Sequence, residues 1–158
     1  MSAENVYQTP KSELKDANNS TYQYAGFWIR VGASIIDSIL IILITLPLLM
    51  AIYGAEYWSS TDFSKGIWDI LISYVLPAVA VIMFWAYKSA TPGKIVLNLK
   101  IISLGKTETL SKGQLIGRYL GYFVSMIPLF LGIFWVAFDK RKQGWHDKLA
   151  NTAVVKVK

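Results

Sequence analysis

Phe27–Tyr53, reading FWIRVGASIIDSILIILITLPLLMAIY, decides the fold. Apart from Arg30, Asp37 and a few small polar residues it is apolar, and Val31–Tyr53 alone runs for 23 residues. About 20 apolar residues in a helix cross the hydrocarbon core of a bilayer, so this stretch predicts a first membrane span over about residues 27–53. Pro47 lies near its far end, where neighbouring helices can satisfy the carbonyl that a proline frees. Downstream, Gly54–Gly66 is a short polar loop flanked by Tyr53, Tyr57 and Trp58, rings that suit the headgroup layer. Ile70–Tyr87 follows, 18 residues without a charge, and with Trp85, Tyr87 and Lys88 it predicts a second span at about 67–87. Upstream, residues 1–24 are polar, hold Pro10 and an Asn-Asn-Ser cluster, and read as a flexible cytoplasmic tail.

The whole composition agrees with lipid as part of the solvent. The chain has 158 residues, the size of one domain; 54% are apolar and only 16% charged, against about 25% charged in a soluble domain. It has no cysteine and a single histidine. Disulfide frameworks, thiolate nucleophiles, iron–sulfur clusters and multi-His or Cys-type metal sites are thereby excluded, and no cofactor is indicated. The net charge of +6 is unevenly spread. Residues 88–118 carry six bases against Glu108, and residues 139–158 carry six against Asp139 and Asp147, whereas 54–69 carries Lys65 against three acids. Bases that flank apolar runs mark the cytoplasmic loops of a membrane protein rather than a nucleic-acid surface.

Tyr119–Phe138 is a further 20 residues without a charge, interrupted at Pro128. As a full third span it would place the basic C-terminal segment outside. A hairpin of two short helices over about 115–138, bending near Ser125–Pro128, keeps both basic segments inside. Both readings stand. Between the second span and this stretch, Thr91-Pro92-Gly93 predicts a turn, and Ile95–Ile102 alternates as a strand would. A lone strand leaves its edges unpaired, so pairing with Ala153–Val157 is expected. The fold class is thus an all-α membrane protein of two full transmembrane helices, with a short-helix hairpin or third span and a small cytoplasmic β-pair, residues 25–157 forming the transmembrane domain. Its surroundings are the lipid bilayer of a bacterial inner membrane, with both termini cytoplasmic.

Among residues able to carry chemistry, Asp37 stands out. A carboxylate at membrane depth costs about 2.5–3.5 kcal/mol on insertion scales, and such residues tend to serve a site. Arg30 precedes it by seven positions. That is two helical turns on one face, about 10 Å along the axis, with the small residues Ala33 and Ser34 between. The pair reads either as an ion- or proton-binding site or as packing without a ligand. His146 and Asp147 sit side by side, but no nucleophile stands at motif spacing, and a helix cap accounts for them as well as catalysis does. Thr91-Pro92-Gly93-Lys94 lacks the first glycine of a phosphate loop, which leaves Lys94 as a contact for lipid phosphate. Lys140, Arg141 and Lys142 read equally as lipid-phosphate contacts or as an orientation signal.

Four pieces in order, FWIRVGASIID at 27–37, TPGKIVLNLKIIS at 91–103, Arg118, and DKRKQGWHDKLANTAVV at 139–155, resemble the RDD family of small membrane proteins. The family is named for one arginine and two aspartates. The resemblance implies that the arginine is Arg30, the first aspartate Asp37 and the second Asp147, with Asp139 as the alternative. Arg118, His146 and Lys94 follow as secondary site residues. The family's Ala-Gly-Thr is Ala150-Asn151-Thr152 here, and Asn tolerates a left-handed conformation. The resemblance further implies movement of a small cation or solute, cation–proton exchange being attributed to some members. On that reading Asp37 is the site carboxylate, Arg30 its electrostatic partner, and Asp147 serves at the cytoplasmic mouth. With so few spans, a pathway would form between copies in a homo-oligomer. The rival is a non-transporting scaffold or a lipid- or partner-binding module. No enzyme is indicated, for want of a nucleophile–base or metal constellation.

Overall fold

The computed structural model describes residues 13–15, 21–59, 64–105 and 109–157. The elements in chain order are β1 (Glu13–Lys15), β2 (Thr21–Tyr24), α1 (Phe27–Tyr53), α2 (Ile67–Ile70), α3 (Leu76–Lys88), α4 (Pro92–Val96), β3 (Leu99–Ser103), α5 (Lys112–Met126), α6 (Leu131–Phe138), α7 (Trp145–Leu149) and β4 (Thr152–Lys156).

Both expected long helices form. α1 is continuous through Pro47, and a π-helical turn at Leu71–Val75 joins α2 to α3, so that Ile67–Lys88 runs as one 22-residue helix. These two helices are long and apolar enough to cross a membrane. Most of α1 shows its side chains outward: Ile35, Ile39, Leu43 and Ile44 are exposed, whereas Arg30 and Ala33 are buried. A helix with apolar surroundings on its outside and polar groups within is inverted relative to a soluble one. The loop between the two helices is fastened by Asp69, whose carboxylate accepts from the Tyr57 and Ser73 hydroxyls at 2.9 Å each and from the Lys65 backbone N–H at 3.1 Å.

α5 and α6 meet at a bend of 99°. It overlaps the expected Ser125–Pro128 and extends two residues past it, across residues 127–130, where Leu129 (φ 51°) and Phe130 (φ 62°) both adopt the left-handed conformation. Two consecutive left-handed residues turn the chain sharply and stop a right-handed helix. α5 begins at a capping box: Ser111 Oγ accepts from Gln114 N and Gln114 Oε1 accepts from Ser111 N.

The expected pairing of two strands is present and is part of something larger. β3 runs antiparallel to β4, Lys100 opposite Val155 and Ile102 opposite Ala153. β4 also pairs with β2, Tyr24 opposite Val155, and β1 adds to the outer edge, giving the order β1-β2-β4-β3. The small β-pair is therefore corrected to a sheet with three strands at its heart. The flexible reading of residues 1–24 gives way at Glu13–Lys15 and Thr21–Tyr24; the rest of that segment lies outside the described residues. One face of the sheet packs Leu99, Ile101 and Val154 against Ala25, Ala33, Trp85 and Leu115 of the helices. The other packs Ile102, Ala153 and Val155 beneath Tyr22 and Tyr24.

The expected turn at Thr91-Pro92-Gly93 is instead the start of α4, and Ile95–Val96 belong to that helix rather than to the strand. Pro92 occupies the first helical turn, where its missing N–H costs nothing. Gly93 lets α4 lie directly on α1, since a Cβ there would fall 2.1 Å from the Ala33 carbonyl oxygen. Asn151 is left-handed, φ 49°, as expected of the residue standing at the family's glycine.

Candidate functional site

Four segments far apart in sequence converge between the inner ends of α1 and α5 and the sheet. Arg30 of α1 donates from Nε to Ala25 O at 3.0 Å, from Nη2 to Lys142 O at 2.5 Å and from Nη1 to Asp147 Oδ2 at 2.5 Å. Arg118 of α5, with no exposed surface, places Nη1 2.5 Å from Asp147 Oδ1 and donates to Thr152 Oγ1 at 2.6 Å. One fully buried carboxylate thus bridges two guanidiniums. Asp147 is also held by its own helix, accepting from Gly144 N at 3.1 Å. Burial presses its carboxyl towards the neutral form, but the Arg118 and Arg30 charges overcome this and hold its pKa well below the usual carboxylate range.

His146 lies flat on Tyr122, ring centroids 4.0 Å apart and 17° from parallel. Burial, aided by the nearby Arg118 and Arg30 charges, lowers its pKa to about 3, so the ring is neutral at physiological pH. Gly121 permits this approach: a Cβ there would stand 2.9 Å from His146 Cα.

Asp37 serves a different element. Its Oδ1 accepts from the Gly93 backbone N–H at 2.7 Å and its Oδ2 from the Thr91 hydroxyl at 2.5 Å. The carboxylate of α1 therefore caps the N-terminus of α4, satisfying a free N–H there. One residue later, Lys94 turns inward and is only 6% exposed. Its ammonium makes no hydrogen bond among the described residues; the nearest π face is Trp85, 5.8 Å from Nζ to the ring centroid. Burial lowers the Lys94 pKa, with Arg118 and Arg30 acting the same way and Tyr122 and Asp37 opposing. Arg118 Nε and Nη2, Trp85 Nε1 and His146 Nδ1 are buried without a hydrogen-bond partner among the described residues, and Asp147 Oδ1 is met by its ion pair with Arg118.

Two cavities adjoin these groups. One, of about 450 Å³, is lined by Arg30, Arg118, His146 and Lys94 at its polar part and by Val31, Ile35, Ile39, Ile42, Met126 and Ile133 elsewhere. The second, of about 300 Å³, is lined by Asp37, Thr91, Trp85 and Lys94. Ser34, Ser38, Lys94, Tyr122 and Met126 line both and form the wall between them.

The RDD family pattern matches residues 24–151, which hold every one of these polar groups except Thr152. The chain belongs to the RDD family. This RDD protein is 30% identical over 148 residues to the uncharacterized protein YxaI of Bacillus subtilis (strain 168), covering 83% of this chain and 96% of the relative. It is 30% identical over 146 residues to the uncharacterized membrane protein YteJ of the same organism, covering 89% and 86%. It is also 32% identical over 105 residues to the uncharacterized protein RP437 of Rickettsia prowazekii (strain Madrid E), covering 64% of this chain and 58% of that one. No solved structure matches.

Within the RDD chain, the residues singled out from sequence fall into three groups. Arg30, Asp147, Arg118 and His146 meet in one buried cluster. Asp37 does not join them: the same-face pairing with Arg30 fails because α4 reaches Asp37 first and α7 reaches Arg30. Asp147 is not at an open mouth but at the centre of the cluster. Lys94 faces the interior cavities rather than a lipid surface. Asp139 stays apart, paired with Lys148 at 2.6 Å and accepting from the Arg141 and Gln143 N–H groups, which makes it a loop brace. Lys140 and Arg141 are exposed near it, while Lys142 gives its carbonyl to Arg30 and its ammonium to Ala137 O. Sequence reasoning missed Thr91, Gly93, Trp85, Tyr122 and Thr152. Only Thr91 and Gly93 carried a signal, as the cap and first turn of a helix following Ser89.

Proposed function

We propose that this RDD protein is a multi-pass protein of the bacterial inner membrane that binds a small anionic group between α1, α4 and α5, and that it acts by binding rather than by catalysis. One observation carries the reading: Lys94 lines both cavities with no hydrogen bond to its ammonium among the described residues, and Arg118, which lines the larger, keeps Nε and Nη2 without a hydrogen-bond partner there. Three interior bases, Arg30, Lys94 and Arg118, stand against two carboxylates, and both carboxylates are already engaged. A buried cation without a partner is costly, and an anion that supplies the acceptors removes that cost.

The sheet bears on placement. It joins the segment before α1, the segment after α3 and the segment after α6, which supports a topology with all three on one side of the bilayer. Two crossings separate β2 from β3 and an even number must separate β3 from β4, which favours a re-entrant α5–α6 hairpin over a third span. The basic segments 88–118 and 139–158 then share the cytoplasmic side with both termini.

Movement of a solute is the second reading, favoured by the two cavities that share one wall. Cation movement through Asp37 has less support, because both Asp37 oxygens accept hydrogen bonds from α4. The cavities lie within one chain, so binding needs no second copy; the homo-oligomer belongs to the transport reading. Thermal melting of the purified protein with acetate or inorganic phosphate, against chloride at equal ionic strength, tests the proposal. Carboxylate or phosphate should raise the melting temperature, since a ligand specific to the native state stabilises it. A rise with sodium or potassium, and none with either anion, would return the reading to a cation site.

A further inference from the structure

The larger cavity has a direction. Along α1 it is lined by Phe27, Val31, Ile35, Ile39 and Ile42, a stripe of four-residue steps with one of three. At 1.5 Å per residue the apolar part from Val31 to Ile42 is about 16 Å long. Met126 and Ile133 face it from the α5–α6 bend. Arg30, Lys94, Arg118 and His146 line the same cavity, and Arg30 and Arg118 meet on Asp147 at the Phe27–Val31 end of the α1 stripe. A small hydrated anion would use that end and leave the rest of the slot in contact with nothing it can complement. The length, the apolar walls and the charge at one end together fit an elongated molecule with an anionic head.

We infer that the ligand is a single-chain anionic amphiphile, a carboxylate or phosphate monoester whose head is held by Lys94 and Arg118 and whose chain lies along α1 from Val31 to Ile42. This rests on the anion-binding reading and adds the chain to it. Ligand sites of about 300–1,000 Å³ are commonly apolar with a few placed polar groups, and a 450 Å³ slot has room for one chain rather than two. Ile35 and Ile39 line the slot and are still half exposed, so the slot is not closed over along α1, and in a membrane it would be reachable from the lipid, where such molecules reside. Lys94 also lines the second cavity with Asp37 and Thr91, so a head held by Lys94 sits beside the α4 N-terminal turn.

The test uses the full chain in phosphatidylcholine nanodiscs and a dodecanoate carrying a mid-chain diazirine. On illumination the probe should label α1 between residues 35 and 42, together with Met126 or Ile133, saturably. Unlabelled dodecanoate and dodecyl phosphate should compete, and whichever competes better names the source of the head, a free fatty acid or a phosphate-bearing lipid. Dodecanol should compete about tenfold less well or worse, the loss expected on removing charge-assisted hydrogen bonds. Ser38→Trp, which fills the wall of the slot while keeping every charge, should abolish labelling. Lys94→Met should weaken it by about tenfold or more. Labelling that is unsaturable and spread over outward residues such as Leu43 and Leu48, or dodecanol competing as well as dodecanoate, overturns the inference. If acetate and phosphate still raise the melting temperature in that event, anion binding stands and only the chain is lost. If neither they nor the probe binds, both readings fall.

Discussion

Asp147→Asn removes one charge and almost no volume, and the geometry makes its cost large. The carboxylate has no exposed surface and lies 2.5 Å from a guanidinium on each side. An asparagine oxygen can serve one arginine, but the amide NH₂ then faces the other, leaving Arg118 buried without a countercharge. Breaking a buried ion pair from one side costs about 3–5 kcal/mol. For a chain of this size 1 kcal/mol corresponds to about 2–4 °C, so the melting temperature in detergent should fall by about 10 °C. Asp139→Asn is the matched control. Its pair with Lys148 is partly exposed, 14% and 44% for the two side chains, and such pairs contribute about 1 kcal/mol or less. Both variants are followed by differential scanning fluorimetry in one detergent. An Asp147→Asn melt within about 2 °C of wild type, or an Asp139→Asn melt below it, would refute the claim that Asp147 holds α1 and α5 together.

Three further predictions concern neighbouring residues. His146 is the single histidine and is buried neutral, its pKa lowered from 6.5 to about 3. The unfolded chain therefore takes up the proton first as pH falls, and stability present above pH 6.5 should drop by about 1.4 kcal/mol between pH 7.5 and 5.5; His146→Phe, which keeps the stack on Tyr122, should flatten that slope in pH-dependent melts. Gly93→Ala should destabilise by about 1–3 kcal/mol through the clash with the Ala33 carbonyl, whereas Gly117→Ala, with open space around its Cβ, should be neutral or slightly stabilising in the same melting assay. Asp37→Asn should cost about 1–2 kcal/mol by weakening the cap on α4 and yet retain anion-induced stabilisation; loss of anion binding with an unchanged melt would make Asp37 a ligand residue instead.

What was legible in the sequence is what neighbouring residues decide. The two long helices follow from uninterrupted apolar length, the pairing of β3 with β4 from β-branched alternation, and the left-handed Asn151 from the tolerance of its side chain for that conformation. The strand at Thr21–Tyr24 was hidden because a four-residue polar stretch becomes a strand only through a partner at Val155, far along the chain. Helical spacing put Arg30 beside Asp37 because it sees one helix at a time. The actual partner of Arg30 is 117 residues away, and the partners of Asp37 are 54 and 56 away. Lys94 looked like a surface base because Pro92 and Gly93 read as a turn. Capping by Asp37 makes that segment a helix, and the helix swings Lys94 inward. Charge and periodicity could name the polar residues of this protein, but only tertiary contact decides which of them have spare hydrogen-bonding capacity.

On the anion-binding proposal, Lys94 is kept for a ligand and not for the fold. Melting of wild type and Lys94→Met, each with and without inorganic phosphate, measures it most directly. Without ligand, replacing a buried unpartnered ammonium by an apolar chain of similar length should leave the melting temperature unchanged or raise it. With phosphate, wild type should gain stability and Lys94→Met should not. A ligand-free Lys94→Met protein that melts well below wild type, or one that phosphate stabilises as strongly as wild type, would rule out that role for Lys94.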